Sequence, residues 1–338
     1  MPAGRVDAGP AGRCDALAAA VGVLGELAQL DVPLGPRTTY RVGGPAAVLV
    51  EARRPADLER VAAARRASGL PLLVLGRGSN LLVADAGFPG IAVSVVEMAQ
   101  GIDIDTASAT VTAGGGVLLP VLARRTAAAG LTGFEWAVGV PGSVGGAVRM
   151  NAGGHGSDMS AALVEARVAD LDGASADVAC IDGAGIDGAS GMVVRTIPAA
   201  ELDLRFRGSA LTADMVVLDA RLQLAAGDAA SAKRMIEEIV AWRRDHQPGG
   251  QNAGSVFVNP VPGEVSAGEL IDGLGLRGRR RGTARVSEKH ANFIQADEGG
   301  SADDVVALMR EVRAEVAATT GFRLRSEIRL IGFEEGAR

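Results

Sequence analysis

The sequence predicts an α+β fold with more than one domain, and three observations carry that prediction. The chain has 338 residues, 48% of them hydrophobic and 22% charged, which suits a soluble globular protein larger than one typical domain. Residues 38–224 alternate short strands, rich in Val, Ile and Ala, with a few helices and glycine-rich turns. From about residue 226 the pattern changes to longer helices separated by polar loops.

The elements of the first domain follow from the spacing of apolar residues. A disordered tail over residues 1–13 is expected to precede an amphipathic helix over 16–30. Residues 47–52 are predicted to form a strand, residues 55–69 a helix, and residues 72–75 a strand that ends directly on a glycine. A strand-to-helix unit spans 111–130, with a glycine triplet at its joint. We therefore expect an N-terminal tail and helix over 1–34 and a first domain over 35–225.

A second, smaller α+β domain is expected over residues 226–338. Residues 229–244 have the pattern of a long helix, and a polar loop follows over 246–253. Ser301 and Asp304 form a capping-box pattern ahead of another helix, which Gly321 closes. Residues 322–331 alternate apolar and charged side chains, which is typical of a strand with one buried face.

Composition narrows the classes of function. The formal net charge of -6 gives no general attraction to a phosphate backbone, so no nucleic-acid partner is expected. Cys14 and Cys180 lie far apart and lack metal-ligand spacing, so no metal site is predicted and a reducing compartment is indicated. The apolar stretch 16–30 is shorter than a membrane span and contains Glu26. We expect a cytoplasmic monomer with no membrane partner.

Two glycine-rich loops are candidates for holding a phosphate. Small residues allow successive backbone N–H groups to converge on one oxygen, and nearby hydroxyl or amide side chains add donors. The first loop reads GRGSNLL over residues 76–82, immediately after the strand predicted at 72–75. The second reads GVPGSVGG over 139–146, and an Asn-Ala-Gly step follows at 151–153. Two such loops within one domain indicate a phosphate-bearing ligand.

A third glycine-rich segment is a false match. Residues 183–188 fit the dinucleotide pattern GxGxxG letter for letter. That fingerprint belongs at a strand-turn-helix junction, whereas this segment lies among turn residues and is followed by Ala-Ser-Gly. We do not expect it to bind a nucleotide.

An ordered set of motifs resembles one known family. TYRVGGPA at 39–46, GRGSNLL at 76–82, GFE at 133–135 and GVPGSVGGAVRMNAGG at 139–154 occur in the first domain. AGSVF at 253–257, NP at 259–260, AGELI at 267–271, SEKHANFI at 287–294 and SEIRLIG at 326–332 follow in the second. One string alone could arise by chance, but the ordered set is similar to the UDP-N-acetylenolpyruvoylglucosamine reductases over about residues 35–332.

The resemblance implies a fold and two cofactors. The fold is an FAD-binding domain of the vanillyl-alcohol-oxidase (PCMH) type in two subdomains, followed by a smaller substrate-binding domain. FAD is held without a covalent bond, and NADPH is the hydride donor. The implied FAD-binding residues are Tyr40, Gly76, Arg77, Gly78, Ser79, Asn80, Leu81, Gly139, Val140, Pro141, Gly142, Ser143, Gly145, Gly146, Asn151 and Gly153.

The resemblance also implies the reaction and its residues. The substrate is UDP-N-acetylglucosamine enolpyruvate, which is reduced to UDP-N-acetylmuramate for peptidoglycan. Arg207, Ser255 and Glu327 match the family's catalytic positions. Hydride addition to the enolpyruvyl β-carbon leaves negative charge on the α-carbon and its carboxylate, so an arginine that binds this charge and a hydroxyl that donates a proton suit the chemistry. Substrate contacts are implied for Asn259, Lys289 and His290.

Some positions depart from the family pattern, and other functions stay open. Phe206 replaces a usual tyrosine, Val258 a frequent lysine and His155 a frequent tyrosine. Taken without the resemblance, the three candidate catalytic residues could be a surface arginine, a turn serine and an exposed carboxylate. The alternative functions are an FAD-dependent oxidase of the same fold, acting on an alcohol or sugar, and a non-catalytic nucleotide-sugar binding module.

Overall fold

The structure is a computed structural model that describes residues 10–173 and 192–334. The segment 183–188 and Cys180 lie outside the described residues. Within them, no helix is both long and apolar enough to cross a membrane. The α-helices are α1 (Pro10–Leu24), α2 (Pro55–Ser68), α3 (Leu119–Ala128), α4 (Val144–Met150), α5 (Ala229–His246), α6 (Ala267–Gly273) and α7 (Ala302–Thr320).

The strands are short and occur along the whole chain. In chain order they are β1 (Gln29–Pro33), β2 (Pro45–Glu51), β3 (Leu72–Leu75), β4 (Leu81–Val83), β5 (Phe88–Ser94), β6 (Ile102–Asp105), β7 (Thr110–Gly114), β8 (Leu131–Thr132), β9 (Gly153–Gly154), β10 (Ser157–Asp158), β11 (Leu163–Asp170), β12 (Val193–Pro198), β13 (Met215–Gln223), β14 (Ala225–Ala226), β15 (Arg280–Arg281), β16 (Ala284–Val286), β17 (Ile294–Ala296) and β18 (Arg329–Ile331).

The first sheet has four strands in the order β1-β2-β5-β3. β1 pairs antiparallel with β2, while β5 is parallel to both β2 and β3. Helices α1 and α2 cover one face, and their apolar side chains share a core with β2 and β5. α2 begins with Pro55 at its first turn and ends at Gly69, whose positive φ of 67° closes the helix. The strand predicted at 72–75 is confirmed, and it delivers the chain to the first glycine loop.

The second sheet has five antiparallel strands in the order β12-β11-β13-β7-β6. Helix α4 packs directly on β13 and β7, and helices α3 and α5 pack against each other beside it; the buried side chains of all three belong to one continuous core with the strands of this sheet. In α5, the apolar stripe of Ala232, Ile236 and Ile239 enters that core. The sequence analysis assigned α5 to the second domain, but its packing partners are in the first.

The last part of the chain forms a third core. Helices α6 and α7 pack with the three-stranded sheet β15-β16-β17. The chain then returns to the first glycine loop, because β18 pairs in parallel with β4. The N–H of Arg329 also donates to the carbonyl of Asn80 at 2.9 Å. The C-terminal segment thus lies directly beside the first glycine loop.

Two expectations near the N-terminus are corrected. The helix expected at 16–30 begins at Pro10 and ends at Leu24, and residues 10–13 are helical rather than part of a disordered tail. Gly25 follows with a positive φ of 53°, which ends the helix, and Leu30 lies in β1.

Two further expectations near the C-terminus are corrected. Regular pairing over 322–331 is confined to β18, and the expected alternation of burial is interrupted at Ser326 and Glu327, which are both of intermediate exposure. Residues just before β18 pair instead with the segment around Val256, which is not a regular strand. The N–H of Glu327 donates to the carbonyl of Val256, and the N–H of Val258 donates to the carbonyl of Arg325, both at 2.9 Å. At α7, Ser301 caps the helix, but the Asp304 carboxylate binds the N–H and hydroxyl of Thr283 rather than closing a capping box.

Candidate active site

A cleft of about 680 Å³ lies where the two glycine loops meet the C-terminal segment. Its walls are the two loops, the turn that carries Arg207, the last turn of α5 and the segments around Ser255 and Glu327. The predicted residues that line it are Gly76, Arg77, Gly78, Ser79, Asn80, Leu81, Val140, Pro141, Gly142, Ser143, Gly146, Gly153, Arg207, Ser255 and Glu327. The fold therefore brings together most of the residues identified from the sequence.

The first glycine loop has a conformation that requires glycine. Gly78 has φ +58°, and a Cβ there would lie 2.4 Å from the carbonyl oxygen of Arg37. The carbonyl of Gly78 accepts the N–H of Thr39 at 3.3 Å. The side-chain amide of Asn80 donates to the carbonyl of Glu327 at 3.3 Å. The loop is thus held close to the strand segment that carries Glu327.

The second glycine loop lies against the first. A Cβ added at Gly76 would be 2.8 Å from Ser143 Oγ, and one at Gly142 would be 3.4 Å from Ser79 Oγ. A Cβ at Gly146 would meet no protein atom closer than Ser143 Oγ at 3.7 Å, and one at Gly154 none closer than 4.0 Å. Since Gly146 and Gly154 line the cleft, their missing side chains leave room beside exposed backbone. These features fit a phosphate-bearing cofactor such as FAD.

Three of the implied FAD-binding residues, two of them within the second loop, contact neighbouring segments of the protein. A Cβ at Gly139 would be 2.9 Å from Cδ of Arg243, and the N–H of Gly145 donates to the carbonyl of Gly115 at 2.9 Å. Asn151 has a left-handed φ of 40° at the end of α4, and its Oδ1 accepts the N–H of Ser160 at 2.9 Å. None of these three is among the residues that line the cleft.

Tyr40 is also absent from the cleft lining. Its side chain is fully buried in the core of the C-terminal part of the chain, and its hydroxyl donates to the carbonyl of Ile294 at 3.0 Å. Burial raises the pKa of this phenol well above its ordinary value. In this structure Tyr40 joins the first domain to the last three-stranded sheet.

Arg207 lies at the tip of a tight turn that points into the cleft. The backbones of Arg205 and Gly208 exchange two hydrogen bonds of 3.0 Å across this turn, and Arg207 has a left-handed φ of 56°. Non-glycine residues adopt this conformation at an energetic cost, which often marks a functional position. The guanidinium carbon is 5.1 Å from the centroid of the Phe206 ring, which is 64% exposed. The Phe206 ring therefore lies within cation–π distance of the arginine.

Glu327 forms an ion pair with Arg207 inside the cleft. Nε of Arg207 donates to Oε1 of Glu327 at 2.6 Å, and both side chains are mostly buried. Burial raises the pKa of the Glu327 carboxyl, and the charge and hydrogen bond of Arg207 oppose that shift. Ser255 is adjacent in the fold, because the next residue, Val256, accepts the backbone N–H of Glu327. All three candidate catalytic residues line this one cleft.

The three candidate substrate-binding residues are not among those that line the cleft. Asn259 Oδ1 accepts the N–H of Ala267 at 3.1 Å, at the start of α6. The Lys289 ammonium donates to the carbonyl of Arg244. The His290 ring packs 4.7 Å from the ring of Phe293, and burial lowers its pKa, with a smaller contribution from Arg277. Phe293, which the sequence analysis did not single out, lines the cleft instead.

The sequence analysis missed several cations in the cleft. Arg149, Arg243 and Arg329 line it together with Arg77 and Arg207. Burial, with a further contribution from the nearby Arg329, lowers the pKa of Arg149 to about 10. The acidic net charge of the whole chain hid this local concentration of arginine. The only feature of the sequence that pointed to these arginines was their closeness to predicted site residues. Arg149 is two residues before Asn151, and Arg329 is two residues after Glu327.

Within the described residues, no cluster of three or more His, Cys, Asp or Glu side chains could hold a metal ion. The groups that line the cleft include five arginines, the hydroxyls of Ser79, Ser143 and Ser255, the carboxylate of Glu327 and exposed loop backbone. Such a surface can bind anionic phosphates and carboxylates, and it can place a hydroxyl proton beside a developing negative charge.

Comparison with known proteins identifies the two parts of the chain. Residues 46–196 match the family model described as an FAD binding domain, and residues 246–331 match the model described as UDP-N-acetylenolpyruvoylglucosamine reductase, C-terminal domain. The UDP-N-acetylenolpyruvoylglucosamine reductase of Heliobacterium modesticaldum is 40% identical over 306 residues, which cover 90% of each chain. That of Anaeromyxobacter sp. is 38% identical over 304 residues, covering 89% of this chain and 88% of the relative.

A solved structure gives the same result. The UDP-N-acetylenolpyruvylglucosamine reductase of Thermus caldophilus is 33% identical, with a TM-score of 0.71, covering 90% of this chain and 99% of that one. The α+β fold class, with an FAD-binding domain followed by a smaller C-terminal domain, is confirmed. With this agreement over nearly its whole length, the chain belongs to the family of UDP-N-acetylenolpyruvoylglucosamine reductases.

Proposed function

We propose that this protein reduces UDP-N-acetylglucosamine enolpyruvate to UDP-N-acetylmuramate, with NADPH as the hydride donor and non-covalently bound FAD as the carrier. The observation that carries the proposal is the single cleft in which two glycine loops meet Arg207, Ser255 and Glu327, in a chain of this family. The product is a peptidoglycan precursor, and we place the reaction in the cytoplasm, where that precursor is made.

The two glycine loops would hold the cofactor. Bound FAD would accept hydride from NADPH and deliver it to the β-carbon of the enolpyruvyl group. The backbone of Gly76–Leu81 and of Val140–Gly146 would surround its diphosphate, with Arg149 and Arg329 supplying positive charge. The five cleft arginines would also favour the other anionic ligands, NADPH and the UDP-sugar.

The three catalytic residues would act on the substrate. Arg207 would donate hydrogen bonds to the carboxylate on which negative charge grows, from a position that Glu327 fixes through the 2.6 Å contact. Ser255 would donate its proton to the α-carbon. Its hydroxyl has no hydrogen-bond partner among the described residues, so it is available for that role. Removing charge from the α-carbon in this way completes the reduction.

We further propose which residues belong to the FAD-binding part of the chain and which to the substrate-binding part. The FAD-binding part would extend to about residue 246 and include α5, since α5 shares its core with the five-stranded sheet. Residues from about 247 onward would form the substrate-binding part. This moves the boundary expected from the sequence by about the length of α5.

An anaerobic mixing experiment tests the function. The protein should be yellow, acid precipitation should release its flavin intact, and NADPH should bleach the flavin absorbance. Adding the enolpyruvyl nucleotide sugar without oxygen should restore the absorbance and yield one equivalent of UDP-N-acetylmuramate. Flavin that only oxygen can reoxidise, with an alcohol or sugar as the reductant, would instead support an oxidase. If neither NADPH nor the nucleotide sugar changes the flavin absorbance, the result would support a non-catalytic binding module.

The loop assignment gives a separate prediction for Gly146→Leu. Because its side chain would enter the cleft beside loop backbone, the variant should fold with a near-normal melting temperature and retain much less FAD after purification. Gly22→Leu is the matched control, since Gly22 is also helical and exposed, and an added Cβ there meets no atom within 4 Å. Flavin content per protein and thermal melting measure both effects. Normal flavin content in the Gly146 variant would contradict the loop assignment.

A further inference from the structure

A cluster of three rings, which we call the aromatic rim, lies at the edge of the cleft; it consists of Trp242 and His246 near the end of α5 and His155 from the turn between β9 and β10. The Trp242 ring stacks on that of His246, with centroids 4.6 Å apart and planes 12° from parallel. His155 meets Trp242 edge-on at 5.2 Å. Trp242 and His155 line the cleft, and Trp242 is 45% exposed. The indole is thus stacked on one imidazole, lines the cleft and keeps a large part of its surface exposed.

Two polar groups beside the aromatic rim have few or no partners among the described residues. Arg243 lines the cleft and, within the described part of the chain, has no ion pair, although burial lowers the pKa of its guanidinium. Because Gly139 has no side chain, the side chain of Arg243 can lie close to the backbone of the second glycine loop. Gln247 Oε1 is buried in the same wall and accepts no hydrogen bond from the residues that the structure describes. A buried acceptor without a partner is costly, and a half-buried guanidinium without an ion pair attracts an anion, so both groups are expected to gain partners from a ligand.

We propose that the aromatic rim is a nucleobase subsite, in which the base of a nucleotide ligand stacks on Trp242. Arg243 binds the adjoining phosphate. An N–H of the base, or of the carboxamide when the base is nicotinamide, donates a hydrogen bond to Gln247 Oε1. Stacking on an aromatic side chain tolerates different bases because every base has a π-face. This inference rests on the proposed function, in which NADPH and the UDP-sugar each bring a base and a diphosphate. Either nucleotide can supply the shared chemistry, and the test separates them.

The test compares Trp242→Ala with the wild-type holoenzyme, its FAD oxidised. Calorimetry measures the binding of UDP, of NADP+ and of inorganic pyrophosphate, which carries no base. Loss of one base stack should weaken the nucleotide concerned by about 10-fold and leave pyrophosphate binding unchanged. Trp242→Phe keeps an aromatic face and should recover part of the affinity. Met235→Ala is the control, because Met235 is on the same helix and 46% exposed but does not line the cleft.

Each outcome is decisive. Weaker binding of UDP alone identifies the subsite as that of the uridine, and weaker binding of NADP+ alone as that of the dinucleotide. Weaker binding of both shows a subsite used in turn by the two ligands. Unchanged binding of both nucleotides by Trp242→Ala overturns the proposal, as does equal weakening of pyrophosphate. Turnover of the wild-type enzyme is measured in parallel, so a failure of the proposed function would be seen there and not confused with this result.

Discussion

Replacing Ser255 with alanine is expected to leave reduction of the flavin by NADPH nearly unchanged and to slow its reoxidation by the enolpyruvyl substrate by about 100- to 10,000-fold. That range is the usual contribution of a general acid. Only the second half-reaction needs a proton on the α-carbon. The hydroxyl is positioned by its neighbours, since Asn252 Oδ1 accepts the N–H of Gly254 at 3.0 Å and the carbonyl of Asn292 accepts that of Val256 at 2.9 Å. Those backbone contacts remain in the variant.

Rapid mixing under anaerobic conditions separates the two half-reactions. NADPH is mixed first with oxidised enzyme, and the nucleotide sugar is then mixed with the reduced enzyme. Ser255→Cys should keep part of the second rate, because a thiol can deliver a proton from nearly the same position. Reoxidation of the alanine variant at the wild-type rate, or equal loss of both half-reactions, would mean that Ser255 is not the specific proton donor.

The local elements of this fold could be predicted from the sequence because their signals are local. The strand at 72–75 and the helix that follows Arg54 were predicted from apolar spacing, and the structure has a proline in the first turn of that helix and a glycine at its end. Where α5 packs could not be predicted in this way. Its stripe of Ala232, Ile236 and Ile239 shows that one face is buried, but not which part of the chain covers it.

Contacts between distant parts of the chain also escaped prediction. The pairing of β18 with β4 joins Arg329 to Leu81, and the strand pattern of residues 322–331 contains no information about that partner. Tyr40 shows the same limit, since a motif position does not tell which way a side chain points. Membership of an ordered motif set pointed to Arg207, Ser255 and Glu327. Without that motif set, the residues around each of the three would have fitted an ordinary surface position equally well.

The ion pair of Arg207 and Glu327 determines how the second half-reaction should depend on pH. Burial raises the pKa of Glu327, so this carboxyl takes up a proton at a higher pH than an exposed glutamate does. Protonation removes the negative charge that holds the guanidinium, and the rate should therefore fall as pH is lowered through this pKa. Arg207 opposes the shift, so its removal should raise the pKa of Glu327 further.

Arg207→Met is accordingly expected to slow flavin reoxidation by about 100- to 1,000-fold, the usual cost of losing one donor to a developing anion, and to abolish the acidic limb, because no guanidinium is left for Glu327 to hold. Arg207→Lys should recover part of the rate, because it keeps the charge but loses the two-donor geometry. In the double variant with Glu327→Gln, the losses should not add, since both changes break one interaction. Arg205→Met is the control, because Arg205 lies in the same turn but pairs with Asp203 outside the cleft. An acidic limb at the same pH in wild-type and Arg207→Met enzymes would show that Glu327 does not control the reaction through this pair.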